Sequence, residues 1–196
     1  WPDMGERGKR NLYVAISEVR KSLRAGGPKS SEFVVRDRGT LRLCPELVVW
    51  HDVAELENCL ALLKTANTPV EQRLGAGRTL IGLCNGSYLE DCYLLWASQR
   101  RLELNEVMLL GLGQAGRLLL DHKDLHQALN CANKMVLLDP GSMEAHELKM
   151  RSFLGLGQPD EVVRHYERTE KMLKRDYDIE PSTAMIEILQ RARYGL

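Results

Sequence analysis

The amino-acid sequence predicts a mainly α protein, and three observations carry that expectation. Leu, Ala, Glu, Arg and Lys abound while aromatic residues make up only 6% of the chain, a bias toward helix formers over strand formers. From about His51 onward, apolar residues recur at helical spacing in blocks separated by short breakers: Thr68-Pro69, Asn85-Gly86, His122-Lys123, Asp139-Pro140-Gly141, Gly155 to Asp160 and Glu180-Pro181. Within those blocks the pattern repeats. Sliding Ala128-Leu129 by 34 residues lands on Val162-Val163, and the same slide carries Leu138 onto Met172 and Leu119 onto Phe153, apolar on apolar.

The N-terminal part is organised differently. Lys9 to Arg24 places Leu12, Ile16, Val19 and Leu23 on one helical face, with Tyr13, Ser17, Arg20, Lys21 and Arg24 pointing elsewhere. That is an amphipathic helix with a basic outer face, stopped by Gly26-Gly27-Pro28. Two short β-prone runs between Phe33 and Leu43 then flank a turn containing Gly39, the pattern of a hairpin. Two domains are therefore expected, residues 1–50 and 51–196. The helix should span about residues 9–24 and the hairpin about 33–43.

A period of 34 residues with helix, turn, helix and a proline after the second helix is the tetratricopeptide pattern. Units of this kind bury their core between neighbours and present a face to protein partners.

Net charge is zero, with 27 basic and 27 acidic residues, so the whole-chain average says nothing of nucleic acid. The distribution does. Residues 1–42 hold ten Lys and Arg against five acids, and the rest of the chain carries the matching acidic surplus; a cationic end of this kind suits a polyanion. Five cysteines, odd in number and without a CxxC pair, fit small hydrophobes in a reducing, cytoplasmic setting. No apolar run approaches the roughly 20 residues of a membrane span, and no signal-peptide core opens the chain. Since the sequence begins at Trp1-Pro2 without an initiator Met, further residues are expected upstream.

Two patterns invite an enzymatic reading. Gly111, Gly113 and Gly116 form GxGxxG after an apolar run, with Asp139 downstream, as in a dinucleotide-binding fold. Such a fold needs a third strand, whereas residues 141–154 and 160–174 both have helical patterns. The glycines are better explained as points of close helix approach. The five histidines, His51, His122, His126, His146 and His165, include one i,i+4 pair, His122 and His126, but no HExxH motif or Cys/His cluster supports a metal. No nucleophile signature is present either. The expectation is a non-enzyme without cofactor or metal.

The basic helix followed by a basic hairpin has the order of recognition helix and wing in a winged-helix domain. Cations on both would contact phosphates, and side chains on the outer helix face would reach base edges. The candidate DNA-binding residues are Lys9, Arg10, Asn11, Tyr13, Ser17, Arg20, Lys21 and Arg24 on the helix, with Arg36 and Arg38 on the hairpin.

These residues resemble a known family. Trp1-Pro2, Asn11-Leu12, the run Ser17-Glu18-Val19-Arg20-Lys21-Ser22-Leu23 and the exit Trp50-His51-Asp52-Val53 resemble the second half of the OmpR-type winged-helix domain in the Streptomyces antibiotic regulatory protein family. Residues 82–102, with Trp96 and Arg100 at matching places, look like the opening of the bacterial transcriptional activator domain that follows in that family. The repeat from Leu118 to Lys174 and the closing Ile179-Glu180-Pro181-Ser182 continue the likeness. The chain departs from the family pattern in lacking the first strands and helices of the winged domain, and in the glycines at 111 to 116. The resemblance implies an activator that binds double-stranded promoter DNA. Its helical domain would support self-association as a homodimer or contact RNA polymerase. A tetratricopeptide-type scaffold without DNA binding is the alternative.

Overall fold

The computed structural model describes residues 5–24, 34–37, 40–44 and 50–195. These form two compact units, Trp1–His51 and Asp52–Leu196. The protein is mainly helical with one small antiparallel hairpin, as its sequence predicts.

The first unit consists of α1 (Gly5–Arg24), β1 (Val34–Asp37) and β2 (Thr40–Leu43). The strands pair Val34 with Leu43, Val35 with Arg42, Arg36 with Leu41 and Asp37 with Thr40.

The second unit is seven helices: α2 (Asp52–Lys64), α3 (Val70–Leu83), α4 (Leu95–Asp121), α5 (Leu125–Leu138), α6 (Met143–Gly155), α7 (Pro159–Tyr177) and α8 (Thr183–Tyr194). Several helix boundaries have a local cause. Pro69 precedes α3 and Pro159 opens α7, where a missing N–H is harmless. Ser142 and Ser182 cap α6 and α8, their Oγ atoms accepting from the Ala145 and Met185 amides at 3.3 and 3.2 Å. Asp178 in the left-handed region closes α7, and Lys123 adopts the same conformation between α4 and α5.

Helix α4 is the spine of the unit. It packs against α2, α3, α5 and α6, and Leu104, Met108, Leu112, Leu118 and Leu119 along it belong to one continuous core. A second core, built on Met150, Val162, Tyr166, Met185, Ile188 and Leu189, joins α6, α7 and α8.

The expected repeat is visible in burial as well as sequence. The residues before α5 and α7, Asp124 and Gln158, are 34 apart. Ala128 and Val162 are both buried, while Leu129 and Val163, and likewise Leu138 and Met172, are half-buried. The offset does not persist, because Ser142 and Ser182, which start the second helices, are 40 apart. Helix α7, at 19 residues against 14 in α5, accounts for most of the drift.

The GxGxxG glycines all lie inside α4, so no strand-turn-helix exists there to cradle a pyrophosphate. Instead a methyl group at Gly111 would lie 2.6 Å from Leu80 Cδ1, and one at Gly113 would lie 2.6 Å from Glu144 Oε1. These glycines seat neighbouring helices against the spine. By contrast, Gly75 on the exposed side of α3 has open space around it. Replacing it with alanine should raise stability by about 0.5–1 kcal/mol through helix propensity and chain entropy, measurable as a higher urea midpoint at unchanged slope.

Candidate nucleic-acid interface

The N-terminal unit presents a cluster of cations on α1. Glu6, Arg7, Lys9, Arg10, Tyr13 and Ser17 line one open concave surface along the helix. Four predicted residues, Lys9, Arg10, Tyr13 and Ser17, are thus brought together. Lys9 also pairs with Glu6 at 2.6 Å, one turn away and exposed, an attraction worth a few tenths of a kcal/mol. Lys21 is exposed further along the helix.

Two predicted contacts are placed otherwise. Arg20 is half-buried and its Nη2 donates to the Val34 carbonyl at 2.6 Å, tying helix to hairpin. Its Nε is buried without a hydrogen-bond partner among the described residues. Asn11 is also half-buried, beside buried Gly8. The inward side of α1 is therefore rotated away from the face read from periodicity. Leu12 and Val19, expected inside, are 42% and 47% exposed. Periodicity weighs apolar residues equally, whereas the seat beside Val34 accepts the arginine's hydrogen bond. Arg24 lies in α1 and Arg36 in β1, opposite Leu41, while Arg38 lies outside the described residues.

The i,i+4 histidines take the surface and capping places their spacing near a turn suggests, and a different pair meets. His122 closes α4, its Nδ1 2.9 Å from the Leu118 carbonyl, and His126 is exposed. The meeting pair is His146 of α6 and His165 of α7. His146 Nε2 lies 2.8 Å from the Pro140 carbonyl, and since a carbonyl only accepts, that nitrogen carries the hydrogen. Neutral His146 then accepts at Nδ1 from His165 Nε2, 3.1 Å away, with the Thr169 hydroxyl 3.4 Å from both rings. The α7 spacing Val162, Tyr166, Thr169 and Leu173 could have placed His165 beside a buried face. Nothing local points to its partner nineteen residues earlier.

Burial lowers the pKa of His146, opposed in part by its bond to Pro140. It pushes His165 down to about 3, with Lys149, His146 and Arg168 adding to the shift. Both rings are neutral when folded but bind protons near pH 6.5 when unfolded. Below that pH the unfolded chain holds more protons, so stability is full above about 6.5 and falls on acidification toward 3. Each histidine contributes a slope of at most about 1.4 kcal/mol per pH unit. Thermal melts between neutral pH and the acid side should show this decline, and His165→Gln should flatten it. Among the described residues, no group of three or more potential ligands could hold a metal ion. No helix among them is long and apolar enough to cross a membrane.

A spine-built domain of helix pairs that follows a cationic helix and hairpin in the chain defines a helical-repeat-like protein with an appended basic unit. The family model for the bacterial transcriptional activator domain matches residues 52–193, nearly all of the second unit. The chain belongs to that family. Comparison with curated proteins returns no match.

Proposed function

We propose that this chain is a cytoplasmic, DNA-binding transcription activator in which α1 is the recognition helix and the hairpin the wing of a winged-helix element. The observation that carries it is a transcriptional activator domain preceded in the chain by a hairpin and, before that, a helix whose exposed face gathers Arg7, Lys9, Arg10, Tyr13 and Ser17. Lys9, Arg10 and Lys21 contact phosphates, and Tyr13 and Ser17 face the groove. Arg20 positions the wing through Val34. The helix pairs of the second unit serve self-association or contact with RNA polymerase. No catalytic step or cofactor enters the mechanism.

The test is a binding titration of the full-length protein against promoter fragments at low and moderate salt. Six phosphate contacts would weaken binding by roughly a thousandfold between about 50 and 200 mM salt. Substituting Lys9, Arg10 and Lys21 together by glutamine should lower affinity on all sequences and reduce the slope of log K against log salt by about three. Salt-insensitive or absent binding by the unmodified protein would leave a tetratricopeptide-type protein scaffold as the better account.

A further inference from the structure

Two surfaces of the helical domain complement each other in polarity and charge. From the α3–α4 connection into the first turn of α4 the chain displays an apolar run in which Leu89, Tyr93, Leu94, Leu95 and Trp96 are all exposed, Tyr93 to 87% and Leu95 to 75%. Two exposed acids, Glu90 and Asp91, sit within it. The display is held in place. Arg101 donates to the carbonyls of Tyr88, Leu89 and Cys92 at 2.8, 2.6 and 3.1 Å. Leu89 itself takes a left-handed φ of 44°, a conformation costly for a leucine and sustained only where surroundings enforce it.

The second surface is a cleft of about 450 Å³ where the end of α4 and start of α5 face α6 and α8. Leu120, Leu125, Leu154 and Ile188 contribute its apolar lining. Lys123, Arg151 and Arg191 stand at it exposed. None of the three forms an ion pair with an acid among the described residues, and Glu187 is the single acid of the lining. A cavity of this size accommodates aliphatic and aromatic side chains. Its excess positive charge asks for carboxylates on the same ligand.

The run supplies both, but its own cleft is out of reach. Helix α4 begins within the run at Leu95 and ends beside the cleft at Asp121. Its 27 residues separate the two by about 40 Å. We propose that residues 89–96 of one copy dock into this cleft on a second copy, with Glu90 and Asp91 facing Arg151 and Arg191 and the apolar side chains on the leucine floor. The contact is heterologous, joining different patches, so copies add head to tail. It rests on the reading of the helical domain as a self-association module and names the surfaces that do it.

Sedimentation velocity on the full chain over a concentration series tests it, with Leu94→Ser/Leu95→Ser on the run side and Arg151→Glu/Arg191→Glu on the cleft side. All four positions are exposed, so both variants should melt like the parent. The parent should self-associate, and each variant should do so about tenfold or more weakly. An equal mixture of the two should form a dimer and stop there, since one intact run and one intact cleft remain. Monomeric parent protein at every concentration would overturn both this docking and the self-association reading. Association that survives either double substitution, or a mixture that stays monomeric, would overturn the docking alone. A labelled peptide of residues 87–98 should bind the parent and not the cleft variant. Equal binding of an unrelated acidic apolar peptide would instead assign the cleft to a foreign partner.

Discussion

Replacing Gly116 with valine should destabilise the helical domain by about 3 kcal/mol or more. Gly116 lies on the α4 spine where α5 and α6 converge. A methyl group there would collide with Leu148 Cδ2 and lie 3.1 Å from Cys131 Cβ. Leu148 is 3% exposed and Cys131 fully buried, so neither neighbour has solvent to retreat into. Valine adds two further carbons beyond that first clash. The few tenths of a kcal/mol that it gains over glycine in helix propensity do not offset overpacking between three helices. Whole domains are commonly stable by only 5–15 kcal/mol, so the loss is a large fraction of the total. In a domain of this size it corresponds to about 10 °C in Tm. Urea unfolding followed by circular dichroism reads it directly. A variant within 1 kcal/mol of the parent would mean that α5 and α6 are not seated against this glycine.

Truncation of Leu119 to alanine should have an effect of similar size, about 2–5 kcal/mol. The side chain is fully buried in the core shared by α2 to α6. Removing its outer carbons loses their transfer free energy and leaves a cavity whose walls belong to helices fixed at both ends. Leu137→Ala is the matched control. Leu137 belongs to α5 and is 83% exposed, so its loss should change stability by no more than about 0.5 kcal/mol. Equal effects at the two leucines would contradict this placement of the core.

The comparison of Leu119 with Leu137 shows where sequence reading stops. In Met135 to Leu138 four apolar residues follow one another, and periodicity cannot say that Met135 is buried, Val136 and Leu138 half-buried and Leu137 open to solvent. The same limit applied to α1. Its helix and its basic character were legible, whereas the bond of the Arg20 guanidinium to the Val34 carbonyl was not. At the entry to α4, Tyr93 to Trp96 have core composition yet lie exposed, because nothing among the described residues covers them. The histidines show a related limit. An i,i+4 spacing is visible in one dimension, whereas His146 and His165 meet only because α6 and α7 pack.

Some features belonged to the sequence by itself. Propensity and breaker residues act over a few neighbours, so the helical class, the breaks near Pro69, Asn85, Lys123, Pro140, Gly157 and Pro181, the hairpin and the 34-residue offset into α7 were all determined locally. The charge surplus of the first 42 residues is likewise a property of composition. Only the tertiary structure decided which face of each helix turns inward, and that the glycines of α4 seat Leu80 and Leu148 rather than a phosphate. It also decided that an acidic apolar run and a basic cleft stand at opposite ends of one helix. Those outcomes depend on which distant residues exclude water from a given side chain, and that is settled by the packing of helices rather than by the order of residues within any one of them.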